Sequence, residues 1–245
     1  MKSVQQPIPR ARRSWLLGAL ILFACGKSEN PGKPAPVASA PVVAMAAPAA
    51  DASSAVADAP GTKVATAGCP ADMILVEGSY CPDVLHSCLK WLDPPGTYEN
   101  FRCAKYGKPQ CTSPQRTPLR FCIDRDEYTP VGDKLPAVHH SWTSAKGVCE
   151  SVGKRLCMES EWQFACEGEE MRPYPYGFER DATACNIDRM DLGKPNSGLR
   201  DNREPAGSNP RCVSPFGVRD MSGNVEEWAT LDKPKDPKDR STMKG

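Results

Sequence analysis

The sequence predicts an α+β domain, loop-rich and with little regular secondary structure, on three observations. Met73-Ile74-Leu75-Val76 and Phe121 to Thr129 carry strand patterns. The segments around Trp142 and Trp162 place apolar side chains at helical spacing. Twenty-five prolines and 12 cysteines against 7% aromatic residues mean that crosslinks, as well as a core, hold the fold. Such cysteine use points outside the cytosol. A net charge of +1 gives no basic face for displacing counterions, so nucleic acid is not an expected partner.

The first 25 residues read as an export leader. Lys2, Arg10, Arg12 and Arg13 precede an apolar run from Trp15 to Ala24, too short to span a bilayer but suited to a signal peptide. Leu22-Phe23-Ala24-Cys25 resembles a bacterial lipobox, which makes Cys25 the expected lipidation site. Phe23 fits its position poorly, which leaves ordinary cleavage or an uncleaved anchor as alternatives. Lipidation would give a membrane-anchored lipoprotein in the periplasm or on the outer surface. Residues 26–67 are dominated by Ala, Pro, Val, Ser and Gly with no helical or strand period, a tether. As a flexible coil it would hold the remaining domain, residues 68–245, on the order of 35 Å from the membrane.

Within that domain, Met73 to Val76 is a buried strand closed by Glu77-Gly78-Ser79. Residues 81–122 hold Cys81, Cys88, Cys103, Cys111 and Cys122 among prolines and glycines, which predicts a disulfide-stapled insert. A zinc site is the alternative, but no Cys-x-x-Cys pair occurs. Arg120 to Thr129 alternates apolar and polar residues, the mark of a strand with one buried face. A helix follows, with Trp142, Ala145, Val148, Cys149 and Val152 on one stripe, Ser141 or Thr143 as N-cap and Gly153 at its end. Lys154 to Cys157 is a short extended link. Glu159 to Cys166 is a second helix ending at Gly168, with Met158 where a capping hydroxyl would be expected. Pro173-Tyr174-Pro175-Tyr176-Gly177 is a rigid turn, read either as a ligand wall or as packing. His86, His139 and His140 are the only histidines, and a three-histidine iron site would have to join distant loops.

The stretch Phe216 to Trp228 organises the rest. Asp220 and Glu227 supply two carboxylates, and the turn through Ser222-Gly223-Asn224 would aim carbonyls inward, an all-oxygen set suited to a hard cation such as calcium. The alternative is a loop capped by Asp220 and followed by one helical turn bearing Glu226 and Glu227.

Met73 to Ser79, Phe121 to Thr129, Ser141-Trp142, Gly153 to Leu156, Glu159 to Gly168, Tyr174 to Gly177, Asn186-Ile187 and Phe216 to Trp228 occur together in one order. That order resembles the formylglycine-generating enzyme (sulfatase-modifying factor) family. The resemblance implies a C-type-lectin-like fold with bound structural calcium. It implies one calcium on the Asn186 side chain and Ile187 carbonyl, and a second on Asp220, Gly223, Val225 and Glu227. Glu226 stands where the family usually has tryptophan. The family oxidises a peptidyl cysteine in sulfatases to formylglycine, using dioxygen and Cu+ held by a cysteine pair near the C-terminus. Arg240 to Gly245 resembles the opening of the next family motif, so the chain is expected to be C-terminally truncated and inactive as written, with catalytic residues unknown. Cys149, Cys157 and Cys166 are expected to form structural bridges. The readings carried forward are a formylglycine-generating lipoprotein with a sulfatase-like peptide substrate and a non-catalytic, calcium-stabilised lectin-like module for a surface ligand. A related iron oxygenase is disfavoured by the histidine count.

Overall fold

A computed structural model describes residues 1–5, 68–189, 200–236 and 238–245, all within one compact unit. The tether and the apolar run before Cys25 lie outside these residues. No helix among the described residues is long and apolar enough to cross a membrane.

In chain order the elements are β1 (Ser3–Gln5), β2 (Met73–Tyr80), β3 (Val84–Leu85), β4 (Cys88–Trp91), β5 (Cys103–Tyr106), β6 (Gln110–Cys111), β7 (Thr117–Asp124), α1 (Trp142–Ser151), β8 (Arg155–Leu156), α2 (Glu159–Glu167), β9 (Glu227–Thr230) and β10 (Ser241–Lys244). The main sheet has the order β2-β7-β1-β8. Its longest ladder pairs β2 with β7 antiparallel from Met73 opposite Asp124 to Tyr80 opposite Thr117. Ile74 and Val76 of β2, Phe121 and Ile123 of β7 and Val4 of β1 pack with Trp162, Phe164 and Ala165 of α2 and with Val218 and Met221. Phe164 has no exposed surface, so its truncation to Ala would cost about 3–5 kcal/mol.

The helices follow their local signals. Ser141 Oγ accepts from the Ser144 amide at the start of α1, and Gly153 takes φ +71° just beyond its end. Helix α2 lacks a capping hydroxyl, as Met158 predicts. A remote residue substitutes, since Asp232 accepts from the Ser160 amide at 2.8 Å, while Glu161 Oε2 accepts from the Met158 amide at 2.8 Å.

Three expectations need correction. The strand read over Arg120 to Thr129 lies instead at Thr117–Asp124. It starts earlier because β2 pairs back to Thr117, and it stops where the Arg125 amide turns to Asp72 O. Both its faces are buried at Cys122, because the Cys69–Cys122 disulfide covers the side away from the core. Cys149, Cys157 and Cys166 form no bridges; each is a buried free thiol. The helical turn considered for Glu226 and Glu227 is absent: Glu227 opens β9, which pairs with β10 from Glu227 opposite Lys244.

The insert is stapled as expected, and each staple closes a small ladder. Cys81–Cys111 ties the β3–β6 pair and Cys88–Cys103 the β4–β5 pair. Cys185–Cys212 is a fourth disulfide. Tyr174 and Tyr176 stack at 5.3 Å, and the Tyr174 hydroxyl donates to Cys103 O at 3.0 Å, so this turn packs against the insert.

Candidate cation site

The turn Asp220 to Val225 is held by contacts from three directions. Asp220 and Asn224 both take positive φ, +55° and +60°, either side of Gly223 at +78°. Gly223 sits against the backbone at Asn186-Ile187 so closely that a Cβ would lie 2.5 Å from Asn186 O and 2.4 Å from Ile187 Cγ2. The Asn224 amide donates to Asn186 O at 3.2 Å. The structure thus brings the two predicted calcium sets, Asn186-Ile187 and Asp220-Gly223-Val225-Glu227, into contact.

From the third direction comes Glu127, which sequence reasoning missed. Its Oε1 accepts from the Val225 amide at 3.2 Å and its Oε2 from Asn224 Nδ2. No strand parity could have found it, since β7 ends at Asp124, three residues before Glu127.

Glu127, Asp220 and Glu227 are all buried, at 2%, 2% and 1% exposure. Burial, then the neighbouring Glu227 charge, pushes the Glu127 carboxyl up to about 7. Burial likewise raises Asp220, opposed first by the hydrogen bond from the Gly207 amide. The Lys2 ammonium pulls both carboxyls the other way. Glu227 Oε2 accepts from Trp162 Nε1 at 2.7 Å, and Asp220 Oδ2 from the Gly207 amide at 2.5 Å. Their second oxygens, Asp220 Oδ1 and Glu227 Oε1, are buried and accept no hydrogen bond, with the Met1 α-ammonium 3.5 Å from the latter.

Orphaned, buried carboxylate oxygens are the kind of group a hard cation would satisfy, but the carboxylates among the described residues do not converge into a metal-holding group of three. The Asn186 set fits less well. Asn186 Oδ1 accepts from Arg189 Nη1 at 3.0 Å, and its Nδ2 donates to Asn202 O and Asn224 Oδ1. A guanidinium thus stands at the oxygen assigned to metal. Glu226 is exposed, beside a cavity of about 400 Å³ lined by His139, His140, Arg203, Asn224 and Trp228.

Copper(I) finds no matching donors among the described residues. Eight cysteines are in disulfides; Cys149 lies on α1, Cys157 after β8 and Cys166 on α2, all at 9% exposure or less. No three His, Cys, Asp or Glu residues form a metal-holding group among the described residues. His86 meets Met171 O at 2.8 Å and His140 meets Ser144 Oγ at 3.0 Å, each with its own local partner.

The sulfatase-modifying factor enzyme 1-like domain matches residues 97–245, more than half of the chain. An inactive C-alpha-formylglycine-generating enzyme 2 of Bos taurus is 31% identical over 117 residues, covering 46% of this chain and 38% of that protein. A formylglycine-generating enzyme of Thermomonospora curvata is 33% identical over 97 residues, 38% of this chain and 32% of that enzyme. A serine/threonine-protein kinase pkn1 of Chlamydia caviae is 38% identical over 96 residues, 39% of this chain but 13% of the kinase. The chain therefore spans well under half the length of these relatives.

Proposed function

The chain belongs to the sulfatase-modifying factor enzyme 1-like family, and from that premise we propose that residues 1–245 form a non-oxidising member whose cation-braced turn displays ligand-binding loops. One observation carries this reading: every free thiol among the described residues is buried. Burial pushes the Cys149 thiol up to about 11 and raises Cys157 and Cys166 further. The three thiols lie on or beside different elements and are buried, so no accessible cysteine pair is presented to a soft metal among the described residues. That one relative is named an inactive formylglycine-generating enzyme is consistent with it.

The brace is calcium on Asp220 and Glu227, with Gly223 and Val225 supplying carbonyls; when bound it would neutralise charge that the fold buries. The chain's own residues do the rest. Trp162 and Gly207 fix one oxygen of each carboxylate, and Glu127 pins the turn by its amide and side chain. The setting is an exported lipoprotein anchored through Cys25, its binding face around the cavity at His139, His140 and Arg203.

The oxidase test is incubation with copper(I), dioxygen and a Cys-x-Pro-x-Arg peptide. No aldehyde is expected, and catalytic aldehyde formation would overturn the reading. Capture of a surface glycan or protein is expected to fail in His140→Ala and Arg203→Ala with the melting temperature unchanged.

A further inference from the structure

Exposed apolar side chains are not spread evenly over the described residues. Nine large ones are at least 44% exposed, and six of them, Leu85, Leu89, Trp91, Leu92, Tyr98 and Phe101, fall within one short stretch of the disulfide-stapled insert. An apolar cluster of that kind marks a surface that something covers.

Four of the six sit at the tip of the β4–β5 hairpin, which is held without using them as core. The Cys88–Cys103 disulfide crosslinks its two strands, and Trp91 lies opposite Cys103. Beyond that pair the Leu92 amide donates to Arg102 O at 2.8 Å, and the Arg102 amide and Nη2 donate to the Asp93 carboxylate at 2.9 and 2.6 Å. Two successive turns follow, in which the Glu99 amide donates to Gly96 O and the Phe101 amide to Tyr98 O, both at 3.1 Å. Tyr98 and Phe101 meet edge to face at 6.4 Å and are 71% and 75% exposed. Backbone bonds and an ion pair fix the tip while its rings stay in water, so little ordering entropy is lost when those rings are covered.

Charge is layered behind the apolar tip. Lys90 lies opposite Lys105 in the ladder, a like-charge pairing that an outside anion would relieve. Lys105 pairs with Glu179, whereas the exposed Lys90 and Lys108 form no ion pair among the described residues. In the tip, Asp93 is matched by Arg102, and Glu99 is exposed. Aromatic and aliphatic groups backed by ammonium groups match the order of layers in an anionic leaflet: Trp and Tyr settle at headgroup level and Lys reaches the phosphates. A protein partner would require no such order.

We propose that the β4–β5 tip is a membrane-docking element, which seats Trp91, Leu92, Tyr98 and Phe101 in the interface of a bilayer rich in anionic phospholipid, with Lys90 and Lys105 at the phosphates. It uses neither the cavity at His139, His140 and Arg203 nor lipidation of Cys25.

The test uses the full chain, with disulfides formed and no lipid attached, sedimented with vesicles of phosphatidylcholine alone or of phosphatidylcholine and phosphatidylglycerol in equal parts. The apolar run from Trp15 to Ala24 is common to every variant, so differences between variants read the tip. Wild type is expected to prefer the anionic vesicles. Tyr98→Ser combined with Phe101→Ser is expected to bind them about tenfold more weakly or worse. Lys90→Glu is expected to lose most of the preference for anionic vesicles, and Val131→Ser, an exposed apolar position outside the insert, to bind as wild type does. All four side chains are exposed, so melting temperatures should not change. Equal binding by wild type and the Tyr98, Phe101 variant, or none by either, overturns the proposal, as does a charge preference that is absent or that Lys90→Glu leaves intact. Sedimentation velocity without vesicles tests the competing occupant: a dimer abolished by the Tyr98, Phe101 variant assigns the tip to a second copy of this chain and overturns membrane docking.

Discussion

Gly223→Ala should be among the most damaging single substitutions in this domain, because two separate costs fall on one methyl group. The residue sits at φ +78°, where a side chain costs about 1–2 kcal/mol. The added carbon would also stand 2.5 Å from Asn186 O and 2.4 Å from Ile187 Cγ2. Asn186 O belongs to backbone already fixed by the Asn224 amide, so it cannot yield as a flexible side chain would. Forced displacement of packed groups adds about 1–3 kcal/mol. The total is about 2–5 kcal/mol. Gly217→Ala isolates the first cost, since Gly217 takes φ +94° with no heavy atom within 4 Å of the position its Cβ would occupy; about 1–2 kcal/mol is expected there. Urea unfolding of both variants with disulfides intact, at one calcium concentration, measures the difference. A gap of about 2 kcal/mol, or roughly 4–8 °C in melting temperature, is expected. Two variants within about 0.5 kcal/mol of each other would refute the close approach of the turn to Asn186.

Calcium should raise the melting temperature of the wild-type chain and chelator should lower it, with about 2.7 kcal/mol gained at a hundredfold excess over Kd. Asp220→Ala should lose most of that response and the exposed Glu226→Ala should keep it, as read by calorimetry. At the end of α2, burial raises the Glu167 carboxyl from its ordinary 4.5 to about 7, against the opposing Lys244 charge. The folded form holds this proton up to about pH 7 while the unfolded form releases it near 4.5, so the group's contribution to stability falls as pH rises between those values. Glu167→Gln should therefore be more stable than wild type by about 1–2 kcal/mol at pH 8, discounted for partial exposure, and equal to it at pH 4. Replacing Cys185 and Cys212 together by Ala should cost about 3.5 kcal/mol for a loop closed across 27 residues, measured by urea midpoint.

The elements legible in the sequence are those whose cause is local. Helix α1 was readable from its stripe, Ser141 and Gly153, and β8 from its place between helices. Helix α2 was readable in extent, but its cap comes from Asp232, a residue that no local pattern connects to Ser160. Disulfides in the insert were expected from composition; which cysteines pair depends on the β3–β6 and β4–β5 ladders, a non-local fact. Cys149, Cys157 and Cys166 defeated the same reasoning, because apolar helix and strand faces bury a thiol as readily as a methyl group. At the candidate site the turn residues were visible and Glu127 was not, since its role appears only when residues 127 and 225 meet.

Charge accounting links the site to the sheet. Three carboxylates are buried around the turn; the Lys2 ammonium acts on Glu127 and Asp220, the Arg219 guanidinium acts on Asp220, and the Met1 α-ammonium lies 3.5 Å from Glu227 Oε1, with Met1 and Lys2 both immediately preceding β1. Removing one partner of a buried ion pair while leaving the other costs about 3–5 kcal/mol. A molecule that lost β1 and gained nothing would have to protonate Glu127 and Asp220, whose carboxyls burial already raises, or open the turn to water. A divalent ion bound at Asp220 and Glu227 would offset that loss.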